Sequence, residues 1–386
     1  MISISKKLNT VGTTIFTKMS ALANEYNAIN LGQGFPNFDC GPALVELVTK
    51  YLNMGKHQYA PMPGVPALRE VLAGKYNKQY ACRINPDTDI CITAGATQAI
   101  FTIISAFIHP GDEVIIFEPA YDCYRPSVEI QGGIVRALPL EPPEYKIDWA
   151  RFESLLNAKT KLVILNNPHN PTGTTLDDKD LVQLQYILSD TNIILLSDEV
   201  YEHITFDQRQ HQSVLKYPEL FERSLAVFSF GKTFHVTGWK MGYCVAPAHL
   251  MKAFKDIHQW NVFSVNSFVQ YALADYLEDE THYMGLASMY QAKRDYFQEA
   301  MTASAFSSLP NTGTYFGIYD YSQISDKPDV DFAEWLVREH GIACIPVSVF
   351  YSAEREDRLV RFCFAKTDEL LALAAERLCQ IDTDKS

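Results

Sequence analysis

From about residue 90 the chain repeats one pattern: a short apolar run, a turn, then a stretch with helical spacing. "DICITAGATQAIFTIISAFI" reads as strand, glycine turn and helix, and "DEVIIFEPAYDCY" as a strand ending in an aromatic turn. "TKLVILNNPHNPTG" is a strand ending in a Pro/Asn turn, "LDDKDLVQLQYIL" has helical spacing, and "NIILLSDEVY" and "SLAVFSFGKT" are two more strands. Strands that are apolar on both faces must be covered on both, and helices between them make the connections parallel. The pattern predicts an α/β fold with a mostly parallel sheet between helices.

Past about residue 280 the pattern changes. A polar helix ("SMYQAKRDYFQEAM") leads to "TGTYFGIYDY", a helix ("DFAEWLVREHG"), "RLVRFCFA" and a last helix, which reads as a smaller α+β unit. The expected division is a large domain over 31–280 and a small domain built from 1–30 together with 281–386. A length of 386 residues suits that arrangement.

The net charge of −13, without a basic stripe, argues against nucleic acid or an anionic membrane as partner. The richest apolar run, "AIFTIISAFI", is about half of the roughly 18 residues that a membrane span requires. The first residues, "MISISKKLNT", lack the apolar core of a signal peptide. Eight scattered cysteines with no C-x-x-C argue against a disulfide framework or a zinc site, so no metal and a reducing cytoplasm are expected.

Ligands of parallel sheets bind beyond the C-terminal ends of the strands, and the unusual residue clusters of this chain fall there. Gly231-Lys232-Thr233 suggests a nucleotide loop, but the first glycine of G-x-x-x-x-G-K-[ST] would fall on Ala226, inside an apolar strand. Gly95-Ala96-Thr97, between a strand and a helix, is a better anion site, because helix N-terminal N–H groups attract phosphate; an ordinary turn is the plainer reading. Asp198 ends a buried strand and Asn170 sits in "NNPHNPTG"; taken singly they could be a cap and a turn former. Lys232 at the mouth of a buried strand is harder to explain structurally, since burial turns lysine into a nucleophile. Together these positions outline one ligand. It has a phosphate, a ring for Tyr121 to stack on, a ring nitrogen for Asp198, a phenolic oxygen for Asn170 and Tyr201, and an aldehyde for Lys232. Pyridoxal 5′-phosphate has these groups.

At these residues the chain resembles the fold-type I PLP-dependent transferases, specifically the class I/II aminotransferases. "NNPHNPTG", "SDEVY", "SFGKTFHVTGWKMGY" and "RFCFA" stand in that family's order. "NLGQGFPNF", "EPAYDCY" and "GKTFHVTGWKMGY" look most like the branch of kynurenine, glutamine (phenylpyruvate) and methionine aminotransferases. The resemblance implies that Lys232 bonds the cofactor aldehyde, that Asp198 pairs with the ring nitrogen, and that Asn170 and Tyr201 contact the ring hydroxyl. It implies Tyr121 on the ring and Gly95, Ala96, Thr97, Ser229 and Lys240 at the phosphate, with Tyr59 reaching it from the other subunit of a homodimer. Arg361 would clamp the substrate carboxylate, helped by Gly34 and Asn170. Many relatives carry serine where this chain has Gly231 and arginine where it has Lys240; both departures are shared by the branch named above.

The implied reaction moves an amino group from an amino acid to a 2-oxo acid by ping-pong exchange, with Lys232, Asp198 and Tyr201 at the chemistry. Phe16, Tyr59, Tyr121 and Phe263 favour a large neutral or aromatic substrate such as methionine, phenylalanine, histidine, glutamine or kynurenine, although Phe16 and Phe263 could instead pack in the core. A cysteine-conjugate β-lyase is the nearest alternative. A PLP-binding regulator would need a DNA-binding domain, and only about 30 residues precede "LGQGFP".

Overall fold

The computed structural model of the chain describes residues 7–8 and 14–381. Seven strands form its central sheet: β1 (Ile90–Thr93), β2 (Glu113–Glu118), β3 (Ile134–Pro139), β4 (Thr160–Asn166), β5 (Ile194–Asp198), β6 (Ser224–Ser229) and β7 (Gly242–Val245). Their order across the sheet is β1-β7-β6-β5-β4-β2-β3. β7 runs antiparallel to both its neighbours, and the pairings among β2 to β6 are parallel.

The expectation of a doubly covered sheet rests on the apolar runs, and the packing shows why they are continuous. Ile115, Val163 and Leu195 join one core cluster, while Val114, Leu162 and Leu196 join another. Alternate side chains of each central strand therefore bury on opposite faces, each burial worth about 1.5–3 kcal/mol for a large aliphatic group. Helices over Ala96–Phe107 and Asp178–Leu188 fall where the spacing placed them, the second opened by a capping box between Asp177 and Asp180.

β3 and β7 lie outside the runs read as strands. β3 is an edge strand whose exposure alternates, and its Arg136 pairs with Glu113 of β2 at 2.8 Å. β7 is four residues long and begins on a glycine.

Beyond residue 300 a four-stranded antiparallel sheet contains Ser307–Ser308, Phe316–Asp320, Ile345–Pro346 and Leu359–Cys363. The two-residue strand Ile29–Asn30 pairs with Ile342–Ala343, which brings the N-terminal part of the chain to the C-terminal part. Among the described residues no helix is long and apolar enough to cross a membrane.

Candidate active site

Asn166, Asp198 and Ser229 stand at the C-terminal ends of the adjacent strands β4, β5 and β6. They border a cavity of about 360 Å³ that is also lined by Thr97, Tyr121, Lys232, Lys240 and Arg361. Of the positions singled out in the sequence, Phe16, Gly34, Gly95, Ala96, Asn170 and Tyr201 line it as well.

One end of the cavity is an anion cradle. Gly95 precedes the helix Ala96–Phe107 with φ 84°, a left-handed conformation that favours glycine. The Ala94 N–H donates to Gln98 Oε1 at 3.0 Å, pinning the turn, while the first N–H groups of the helix have no partner within it. A Cβ on Gly242 would lie 2.9 Å from the Ala96 nitrogen, so this glycine lets the helix start sit directly on the sheet. Lys240, itself at φ 54°, brings its Nζ to 3.5 Å from where a Gly95 Cβ would stand. Among the described residues it has no carboxylate partner. An ammonium group and a helix N-terminus converge there, and both attract an anion.

The floor holds two ionisable groups. Burial pushes the Asp198 carboxyl up to about 6, opposed by the Tyr124 hydroxyl at 2.5 Å, the Val200 N–H at 3.4 Å and the charge of Lys232. Burial brings the Lys232 amine down to about 8. Its Nζ donates to the Gly34 carbonyl at 3.0 Å and to the Tyr315 hydroxyl at 2.9 Å. It also sits 5.7 Å from the centre of the Tyr201 ring. The loop that supplies Gly34 is shaped by Asn30, whose Oδ1 accepts from the N–H groups of Gly32 and Gln33 at 3.0 and 3.1 Å.

At the other end Arg361 is 1% exposed. It donates to Asn170 Oδ1 at 2.8 Å and to the Gly32 carbonyl at 3.1 Å, and its Nε has no partner. Its guanidinium lies 3.9 Å from the Phe316 ring centre and 5.4 Å from that of Phe16. Arg361 pairs in register with Ile318, so Phe316 is its diagonal neighbour on the same face of the small sheet. Because Asn170 spends its carbonyl oxygen on Arg361, its amide hydrogens remain for another acceptor.

Two expected positions are not brought to this cavity within the chain. Tyr59 is 82% exposed and meets Phe263 edge-on, with ring centres 5.4 Å apart. Phe263 is itself exposed at φ 65°, so it belongs to this surface pair and not to the core. Phe16, by contrast, both lines the cavity and packs on Phe350 at 5.9 Å. Sequence reasoning missed Asp122 and Phe316 on the lining and Tyr124 and Tyr315 behind it. Asp122 and Tyr124 flank Cys123 in the quoted "EPAYDCY", but nothing there signals that Tyr124 touches Asp198.

A mostly parallel sheet, with a half-buried lysine and a buried carboxylate on one cavity at its strand ends and an arginine supplied by a second sheet, defines a fold-type I aminotransferase. The chain belongs to the class I and II aminotransferases, whose family model matches residues 26–378. It is 49% identical to the methionine aminotransferase of Escherichia coli, with 97% of each chain covered. It is 33% identical to a kynurenine–oxoglutarate transaminase of Dictyostelium discoideum, covering 98% of this chain and 96% of that one. Among solved structures, an Escherichia coli protein identified as having a methionine aminotransferase function superposes with a TM-score of 0.96 at 48% identity, covering 98% of this chain and all of that one.

Proposed function

We propose that the protein binds pyridoxal 5′-phosphate and transfers the amino group of a large neutral or aromatic amino acid, methionine foremost, to a 2-oxo acid. The observation that carries this reading is that Lys232, Asp198 and Arg361 line one cavity together: an amine that burial brings down to about 8, a buried carboxyl with no salt-bridge partner among the described residues, and a buried guanidinium. The cofactor's groups fit the residues present. Its phosphate suits the cradle of Gly95, Ala96, Thr97, Ser229 and Lys240; its ring nitrogen suits Asp198; its ring oxygen suits the amide hydrogens of Asn170 and the Tyr201 hydroxyl. Tyr121, whose hydroxyl lies 3.4 Å from that of Thr97, suits the ring face.

When bound, the cofactor supplies an aldehyde for carbon–nitrogen exchange and a ring that draws electrons from the substrate Cα. The protein does the rest. Arg361 takes the substrate carboxylate on its planar fork, and Phe316 and Phe16 hold the fork in place. Lys232, tethered beside the substrate and able to shed its proton near neutral pH, would remove a proton at Cα and return it two atoms along, on the carbon beyond the nitrogen, which completes a 1,3-shift. Asp198, kept ionised by the cation it faces, keeps the ring nitrogen protonated.

The methionine and kynurenine aminotransferases among its relatives support the substrate class. The exposed Tyr59–Phe263 pair supports a homodimer with shared sites. Eight unpaired cysteine thiols support a cytoplasmic location. The pairing of Ile29–Asn30 with Ile342–Ala343 supports a small domain of 1–30 with 281–386, packed on a large domain of 31–280. The test is to load the protein with pyridoxal phosphate and offer twenty amino acids with several 2-oxo acids. Methionine and the aromatic amino acids should lead, and Lys232→Ala should lose both turnover and the visible absorbance of the cofactor–lysine bond. Near wild-type turnover by Lys232→Ala would overturn the assignment.

A further inference from the structure

Tyr315 has no part in the reaction as drawn above, yet its hydroxyl is 2.9 Å from the Lys232 amine. The hydrogens at this point can be counted. A tyrosine hydroxyl has one hydrogen, and that of Tyr315 goes to the Gly34 carbonyl at 2.7 Å. The Tyr315 oxygen, which Tyr201 also approaches as a hydrogen-bond neighbour, accepts from Lys232, and Lys232 also donates to the Gly34 carbonyl at 3.0 Å. A neutral amine has two N–H bonds and one lone pair. Both N–H bonds are taken by acceptors fixed in the structure, so the lone pair is the one direction not held, on a side chain that lines the cavity.

We propose that Tyr315 is a positioning residue for the reaction: with the Gly34 carbonyl it holds both N–H bonds of the free Lys232 amine and so sets the direction of the amine lone pair. The two acceptors come from segments far apart in the chain, one fully buried and one in the glycine loop, so neither follows the lysine if it swings. The inference deepens the role given to Lys232 under the proposed function, but it concerns the free amine and needs no cofactor to test.

Other charged and titratable groups act on this amine, and all are constant in the test. Arg361 and Lys240 oppose its protonation, while Asp198 and Cys363 favour it. Burial and the neighbouring Tyr201, Cys363 and Tyr290 hold the Tyr315 hydroxyl protonated, so it stays an acceptor and donor throughout.

The experiment is trace acetylation of Lys232 by acetic anhydride in the cofactor-free protein, followed by peptide mass spectrometry across pH. The wild type should titrate with a midpoint near 8. Tyr315→Phe removes an acceptor that stabilises the ammonium form, so the midpoint should fall by roughly one unit. Tyr290→Phe is the control: it lies in the same aromatic cluster, with ring centres 5.5 Å apart, but its hydroxyl has no hydrogen-bond partner among the described residues, so its profile should overlay the wild type. If Tyr315→Phe does not reach the wild-type circular dichroism spectrum, 3-fluorotyrosine at position 315 carries the test; its weaker acceptor oxygen should lower the midpoint by a smaller amount. An unshifted profile, or an equal shift in Tyr290→Phe, overturns the proposal. Failure of the wild type to develop visible absorbance with pyridoxal phosphate would instead overturn the cofactor reading and leave this one standing.

Discussion

The Tyr124 hydroxyl donates to Oδ2 of Asp198 at 2.5 Å, and both groups are buried. This bond works against the burial that pushes the carboxyl up to about 6. Removing it leaves the carboxylate with the weaker Val200 N–H and the charge of Lys232. A hydrogen bond to a charged group is worth about 1.5–3 kcal/mol, or roughly one to two pKa units. Tyr124→Phe should therefore move the acid limb of the kcat profile up by about one unit, which lowers kcat roughly twofold at pH 7 and approaches tenfold at about pH 5. A kcat–pH series on the loaded enzyme reads both effects; an unmoved limb would show that Tyr124 only fills space.

Asp198 also makes a prediction for the cofactor-free protein. Its folded pKa of about 6 lies above the ordinary value of 3.8. Between those values the folded state binds more protons than the unfolded state, so stability falls as pH rises through that window. The contribution is fully present below about pH 4 and gone above about pH 6, and two units correspond to at most about 3 kcal/mol. Asp198→Asn removes this slope. Urea unfolding of the two cofactor-free proteins at several pH values should show the wild type losing stability relative to the variant from pH 4 to 6; parallel curves would mean that the carboxyl is not strained by burial.

Gly231 has a steric reason. A Cβ at this position would stand 2.9 Å from the Thr237 Cα and 3.4 Å from the Ser229 Oγ. The Thr237–Trp239 turn would have to move, and Lys240 follows it directly. Gly231→Ser should therefore cost about 1–3 kcal/mol of stability and weaken cofactor affinity roughly tenfold or more, although it adds a hydroxyl. Spectroscopic titration with pyridoxal phosphate measures this, and tighter binding by the variant would refute the steric account.

These cases show what the sequence could reveal. The central strands were legible because burial on both faces makes them apolar throughout, and β3 was not, because an edge strand is only half covered. Lys232, Asp198 and Asn170 stood out only as a set, since singly Asp198 could be a cap and Asn170 a turn former, and the structure brings the three to one cavity. Tyr124 and Tyr315 were invisible for a different reason. The contacts that give them meaning join positions 74, 83 and 281 residues apart, and a tyrosine among other aromatic residues carries no mark of its partner. Whether Phe263 would be core, cavity or part of an exposed aromatic pair was not legible, because hydrophobicity alone does not separate the three.

Asp122 bears on which substrates the cavity rejects. It follows Tyr121, lines the cavity and is exposed in it. Although its side chain opens on the cavity, the surrounding protein desolvates its carboxyl and raises it, and the charge of Arg361 opposes that rise. Among the described residues of the chain the cations on the lining are Lys232, Lys240 and Arg361, and under the proposed function each already has an assignment. A substrate held by its α-carboxylate at Arg361 and carrying a second carboxylate would meet Asp122 and no free arginine. The wild type should therefore prefer methionine strongly over glutamate. Asp122→Asn removes the repulsion without opening a cavity, and at an effective dielectric of about 20 a charge pair several ångströms apart is worth roughly 1–2 kcal/mol. The ratio of kcat/KM for methionine over glutamate should fall about tenfold, mainly through better use of glutamate. Paired kcat/KM measurements with a shared 2-oxo acid decide it: an unchanged ratio would mean that Asp122 faces solvent and not the substrate side chain.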